Sequence, residues 1–191
     1  MEFSKVVDFH GHVCPGLAMG YRVAELAVRE LVFERAGDEE LVAIVENNSC
    51  AVDAIQAVCG CTFGKGNLIF RDFGKQVYTF ARRPQGEGIR IKVQWTPPTE
   101  TQERQAFWKR YMAGDHSSEV VKDVKEAKAA KVEAILAADD QDLFAIEKLT
   151  VELPGKAKIY PTLTCVKCGE KVMEPKTVVH QDGPICQTCH S

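Results

Sequence analysis

The 191-residue sequence lacks three features that would tie it to particular surroundings. No apolar run approaches the roughly 20 residues needed to cross a bilayer; the stretch at 41–45 (LVAIV) is typical of those present. The opening MEFSKVVDFHGHV has no apolar segment of the kind a secretory signal carries, so the chain reads as soluble and cytoplasmic. There is no surplus of basic charge either. Lys and Arg number 24 against 27 Asp and Glu, a net charge of −3 and a pI near 6.0. A polyanion binder would show the opposite balance, so neither nucleic acid nor a membrane is expected as a partner. Apolar residues at 45% and charged residues at 27% exclude a disordered or fibrous chain.

Cysteine is missing from the whole stretch 62–164, and that gap organises the reading. Cys14, Cys50, Cys59 and Cys61 lie in the first third; Cys165, Cys168, Cys186 and Cys189 lie in the last 27 residues. Without an export signal, disulfides are not expected, and two separate thiol sites are.

Residues 17–36 (LAMGYRVAELAVRELVFERA) space Leu17, Tyr21, Ala24, Ala27, Val28 and Leu31 as a half-buried helix, with Pro15 in its first turn and Gly37 as its stop. Residues 41–46 predict a strand and 51–58 a buried helix ended by Gly60. Strands are expected at 67–73, 76–82 and 88–95, joined by hairpin turns at Gly74-Lys75 and at 85–88. Helices are expected at 100–112 and 118–137, the second with an apolar stripe suited to a solvated helix or a partner contact across a dimer. Helices and an antiparallel meander in separate blocks predict an α+β fold, an antiparallel sheet packed with helices. The division is a core domain at 1–150, a linker at 151–159 marked by Pro154-Gly155, and a small C-terminal module at 160–191.

That module carries C-x2-C-x17-C-x2-C, formed by Cys165, Cys168, Cys186 and Cys189. Four thiolates on two tight knuckles satisfy the tetrahedral preference of Zn²⁺ and leave no open position for catalysis. A segment of about 30 residues cannot bury a sufficient core, so a structural zinc finger of treble-clef or ribbon type is expected. Its three acidic and three basic side chains balance, which fits stability or protein interaction better than phosphate binding.

The stretch 9–16 (FHGHVCPG) is the least ordinary in the chain. In an extended segment His10, His12 and Cys14 would share one face, and Cys14 would cap the helix opened by Pro15, where the positive helix end favours a thiolate. Cys50 stands likewise before the helix at 51–58, with Asp53 three residues on. Cys61 and Lys65 lie just past that helix and are expected in the same pocket. The expected constellation is a second metal site from His10, His12, Cys14, Cys50 and Cys61, with Cys14, Cys50, Asp53 and Lys65 in catalytic roles. Cys59 reads as a packing residue. The glycine-rich stretch 60–66 is no phosphate loop: its spacing is too short, no Ser or Thr follows Lys65, and no strand leads in.

The blocks 9–16 with 17–21, and 50–68 (CAVDAIQAVCGCTFGKGNL), resemble the E-subunit family of molybdenum/tungsten formylmethanofuran dehydrogenase. The resemblance implies an α+β core, often dimeric, with a cysteine- and histidine-lined site able to hold a metal. Carried over by position, the motif residues are His10, His12, Cys14, Cys50, Asp53, Cys61 and the turn Gly64-Lys65-Gly66-Asn67; Cys59 falls outside the pattern. The parent enzyme reduces CO2 onto methanofuran with a pterin-bound metal and Fe–S subunits. This chain has neither a pterin-domain length nor a C-x2-C-x2-C-x3-C run, so it is not that dehydrogenase alone. The resemblance implies an accessory or enzyme-like oxidoreductase subunit in one-carbon or molybdenum/tungsten-dependent metabolism, partnered by those oxidoreductase subunits. The alternatives are a metal-sensing or partner-binding regulator and a metal or cofactor delivery factor.

Overall fold

A computed structural model describes residues 1–190, and the chain divides into two compact units, Met1–Gly155 and Lys156–Ser191. Among the described residues no helix is long and apolar enough to cross a membrane.

The first unit is α+β. Its five strands are β1 (Leu41–Val45), β2 (Leu68–Phe70), β3 (Val77–Arg82), β4 (Glu87–Val93) and β5 (Phe144–Thr150), in the order β2-β1-β3-β4-β5. Pairing is antiparallel except between β1 and β2. A parallel pair needs a crossover, and α3 (Ala51–Cys59) supplies it. The turn at Gly74-Lys75 therefore joins no hairpin, contrary to expectation, because β2 pairs with β1 and not with β3. The expected 67–73 strand shrinks to three residues at the sheet edge.

Helix α2 (Pro15–Leu31) buries Leu17, Ala18, Val23, Ala24, Leu26 and Ala27 against α3 and the sheet. It ends at Leu31, short of the expected 36, because Val32 turns into the left-handed region (φ 48°). The chain then bends so that Ala36 N–H donates to the carbonyl of Cys59 at 2.9 Å. Helices α4 (Gln102–Met112) and α5 (Ser118–Ala137) pack on each other, and α5 reaches the core through Val132 and Ile135. Its C-terminal carbonyls are satisfied by Arg22, whose guanidinium donates to the oxygens of Ile135, Leu136 and Ala138 at 2.7–3.0 Å. The four-residue α6 (Asp140–Leu143) leads into β5.

Besides the short α6, two elements of this unit were not expected from the sequence. Helix α1 (Phe3–His10) has only two turns and little helical stability of its own. It is held by fully buried Val6 and by Phe3, whose ring lies 5.2 Å from that of Tyr21. Strand β5 is an edge strand with Glu147 and Lys148 exposed and Ile146 half-exposed, so its sequence shows no clean alternation.

The second unit holds two hairpins, β6 (Thr162–Thr164) with β7 (Lys171–Met173) and β8 (Thr177–His180) with β9 (Gly183–Cys186), then α7 (Gln187–His190). Its buried centre is Cys165, Ile185 and Cys186. The second cysteine pair spans the step from β9 into α7, which is the treble-clef arrangement rather than the ribbon.

Candidate metal centre

His10 closes α1, and Gly11, in the left-handed region at φ 93°, turns the chain away while its N–H donates to Val7 O at 2.7 Å. Three residues later Cys14 caps α2 with an extended backbone, Pro15 in the first turn, and Leu17 N–H donating to the Cys14 sulfur at 3.4 Å. His10, His12 and Cys14 thus converge through a helix–turn–helix junction. The extended segment expected from period-two spacing does not form.

Cys50 comes from a segment 36 residues further along the chain than Cys14. It precedes α3 with helical backbone angles, and its thiol makes no capping bond. Two glycines one turn apart on α2 let α3 approach. A Cβ at Gly20 would lie 2.3 Å from Ala51 O; one at Gly16 would lie 3.3 Å from Cys50 Cβ and 4.0 Å from the sulfurs of both Cys14 and Cys50. Behind Cys50, buried Asn47 accepts from Ser49 N–H (3.1 Å) and Ser49 O–H (2.7 Å). Its amide donates to Lys75 O at 2.7 Å and to Tyr78 Oη at 3.1 Å. That network fixes the turn from which Cys50 starts α3.

His10, His12, Cys14 and Cys50 each offer a ligand atom, and all four atoms lie within 4.8 Å of one another. Tetrahedral zinc with sulfur and nitrogen ligands needs separations of roughly 3.3–3.8 Å, a contraction within reach of side-chain rotation. His12 is exposed and the other three are half-buried, so the group opens to solvent. The imidazoles of His10 and His12 stack with centroids 4.4 Å apart.

Asp53 does not join the ligands. Its Oδ2 lies 2.7 Å from His10 Nδ1, and its Oδ1 accepts from Gln56 Nε2 at 3.2 Å. With Nδ1–H donated to the carboxylate, the lone pair of His10 sits on Nε2, which faces the Cys14 sulfur at 4.0 Å. Burial, and then the neighbouring Cys14, push the Cys50 thiol up from its ordinary value.

Cys61 and Lys65, expected in this pocket, are elsewhere. Cys61 is fully buried, its sulfur 3.6 Å from Leu41 O, and burial pushes its thiol up to about 12. Lys65 Nζ donates to Ala36 O at 3.0 Å. With buried Asn67, which accepts from Thr62 N–H and donates to Leu41 O, they fasten the chain past α3 to the loop before β1. The far end of α3 separates them from Cys50 because helix length, not sequence proximity, sets that distance. Cys59 is buried against Ala24 O, and burial pushes its thiol well up. Asn47, Gln56, Gly16 and Gly20 escaped the sequence reading. The signals were present in Asn47-x-Ser49 ahead of a helix and in the Gly16-x-x-x-Gly20 spacing.

In the second unit Cys165, Cys168, Cys186 and Cys189 also place their sulfurs within 4.8 Å of one another, Cys168 and Cys186 at 3.9 Å. Backbone N–H groups, among them that of Cys186 at 3.3 Å, hold the Cys165 thiol down at about 6.

A family model described as "FmdE, Molybdenum formylmethanofuran dehydrogenase operon" matches residues 9–145, which include His10, His12, Cys14 and Cys50. A curated relative from Archaeoglobus fulgidus, named "Probable S-adenosyl-L-methionine-binding protein", is 31% identical over 95% of this chain and 50% of its own length. The chain thus spans about half of that relative. A crystal structure of an FmdE-like protein of tungsten formylmethanofuran dehydrogenase type, from Syntrophus aciditrophicus, superposes with a TM-score of 0.62, covering 98% of this chain and 89% of that one at 24% identity. It shares the fold.

Proposed function

Because the chain belongs to the FmdE family of the molybdenum formylmethanofuran dehydrogenase operon, we propose that it is an accessory or enzyme-like subunit of molybdenum- or tungsten-dependent one-carbon metabolism. Its N-terminal centre binds a divalent metal ion through His10, His12, Cys14 and Cys50. The observation that carries this reading is the orientation of His10. A carboxylate on one imidazole nitrogen, with the other nitrogen turned toward the Cys14 sulfur, is the arrangement by which an acid standing behind a histidine prepares it as a ligand.

Two nitrogens and two sulfurs suit zinc or a similarly thiophilic ion. Bound there, the ion would supply Lewis acidity only where exposed His12 gives up its place to water or substrate, since four protein ligands close a tetrahedral site. The chain's own residues do the rest. Asp53 holds the proton on His10 Nδ1, Gln56 steadies Asp53, and Leu17 N–H braces the Cys14 sulfur. The C-terminal cysteines hold a structural zinc that replaces the missing core of that unit. A homodimer and the oxidoreductase subunits of the same system are the proposed partners, in the cytoplasm.

Metal content per chain, measured by plasma mass spectrometry on full-length protein, tests this. Two ions are expected in the wild type, with one lost from a His10→Ala/Cys14→Ser variant and the other from Cys165→Ser/Cys168→Ser. A wild type holding one ion that only the finger variant loses overturns the reading. S-adenosyl-L-methionine, for which the relative aligned over 95% of this chain is named, is the first small molecule to titrate against the loaded protein.

A further inference from the structure

The two sulfurs of the N-terminal centre sit where α2 and α3 pack closely. Cys14 begins α2, Cys50 begins α3, and the two helices meet through the bare backbone of Gly16 and Gly20. The point where a Gly16 Cβ would stand lies 4.0 Å from each sulfur, and the two sulfurs lie within 4.8 Å of each other. Buried Asn47 fixes the approach of Cys50, and Leu17 N–H fixes the sulfur of Cys14. None of these restraints involves an ion, so the pair stays together when the centre is empty. The finger cysteines differ. Their surroundings amount to Ile185 and a few half-buried side chains, so the finger sulfurs depend on an ion to stay gathered. Cys59 and Cys61 are closed to solvent.

We propose that Cys14 and Cys50 are a dithiol–disulfide pair, oxidised by hydroperoxides, whose oxidation state decides whether the N-terminal centre can hold its ion. One thiolate attacks an oxygen of the peroxide; the S–O bond forms as the O–O bond breaks, and hydroxide leaves. The second thiolate attacks that sulfur, forms the S–S bond and expels the oxygen as a second hydroxide. Two thiolates and one hydrogen peroxide give one disulfide and two hydroxides; the sulfurs lose two electrons and the O–O bond takes them. Sulfurs in a disulfide carry no charge and are poor ligands, so His10 and His12 alone remain. The loss of metal rests on the reading of the centre given above; the disulfide itself does not.

The test uses the full-length chain, reduced, stripped of metal and treated with equimolar hydrogen peroxide. It is then blocked with an alkylating agent and mapped as peptides with and without reduction. The expected product is a Cys14–Cys50 linkage, lighter by two hydrogens than the reduced pair and absent from Cys50→Ser. Zinc uptake at the N-terminal centre should vanish on oxidation and return with dithiothreitol. Separate alkylation of Cys14 and Cys50, or their linkage mainly to finger cysteines, overturns the proposal. A linkage formed in protein whose reduced form takes up no N-terminal ion upholds the disulfide and overturns the metal reading instead.

Discussion

Asp53 decides which nitrogen of His10 faces the Cys14 sulfur, and it does so from the first turn of α3. Replacing a carboxylate that orients a ligand in this way costs about 10–100-fold in metal affinity. Asp53→Asn should weaken the N-terminal ion by that factor without moving the midpoint of thermal unfolding of the metal-free protein, as a competitive chelator titration and a melting curve would show. An unchanged affinity would reduce Asp53 to a surface contact. Buried thiols make a separate prediction at this scale. Burial pushes the Cys61 thiol up to about 12, against about 9 when exposed, and shifts Cys59 in the same direction. Between those values the unfolded chain binds fewer protons than the folded one, so stability is complete below pH 9 and falls as pH rises toward 12. Burial of Tyr78 acts the same way at its own, higher pH. Urea midpoints should therefore drop steeply across this alkaline range, and the slope should be shallower in Cys61→Ala.

Helices α2 and α3 meet where side chains would forbid it. A Cβ at Gly20 would press on Ala51 O and Cα at 2.3–2.4 Å, both backbone atoms that cannot swing aside. Gly20→Ala should therefore push the helices apart, at a cost of about 3 kcal/mol in unfolding free energy. It should also weaken the N-terminal ion by moving Cys50 from Cys14. Gly64→Ala, with nothing within 4 Å of its added carbon, is the matched control. If Gly20→Ala melts with the wild type, the close approach is not what places Cys50. The elements were unequally legible. The expected helix at 118–137 coincides with α5, whose 20 residues carry a sustained pattern. Helix α1 and edge strand β5 were invisible, because each takes its stability from neighbours distant in sequence and not from its own periodicity. The Gly74-Lys75 turn misled for a related reason: turn chemistry marks where a chain bends, not which strand the next one joins.

The molecule as a whole pairs a unit that owns a core with one that does not. Met1–Gly155 encloses a continuous cluster from Val6 to Phe144, while the second unit buries two cysteines and one isoleucine. Chelation of the full-length protein should consequently unfold only the second unit. Limited proteolysis with and without a strong chelator should show new cuts confined to residues 156–190, with a protected fragment running through the first unit. Cuts spread evenly through both units would mean that the larger one also depends on metal to fold.

The sequence by itself determined the candidate ligand types and their local spacing. The four finger cysteines, the His10-x-His12-x-Cys14 run, the Cys14 cap and the α+β class all follow from neighbours within a few residues, where periodicity and helix-end chemistry act. Only the tertiary structure decided that Cys50 joins that run while Cys61 and Lys65 do not, and that Asp53 orients His10. Cys50 and Cys61 stand at opposite ends of α3, so nine helical residues carry one into the centre and the other under the β1 loop. Which end faces Cys14 is set by the Gly16–Gly20 crossing of two helices, a contact between segments more than 30 residues apart that no local pattern records.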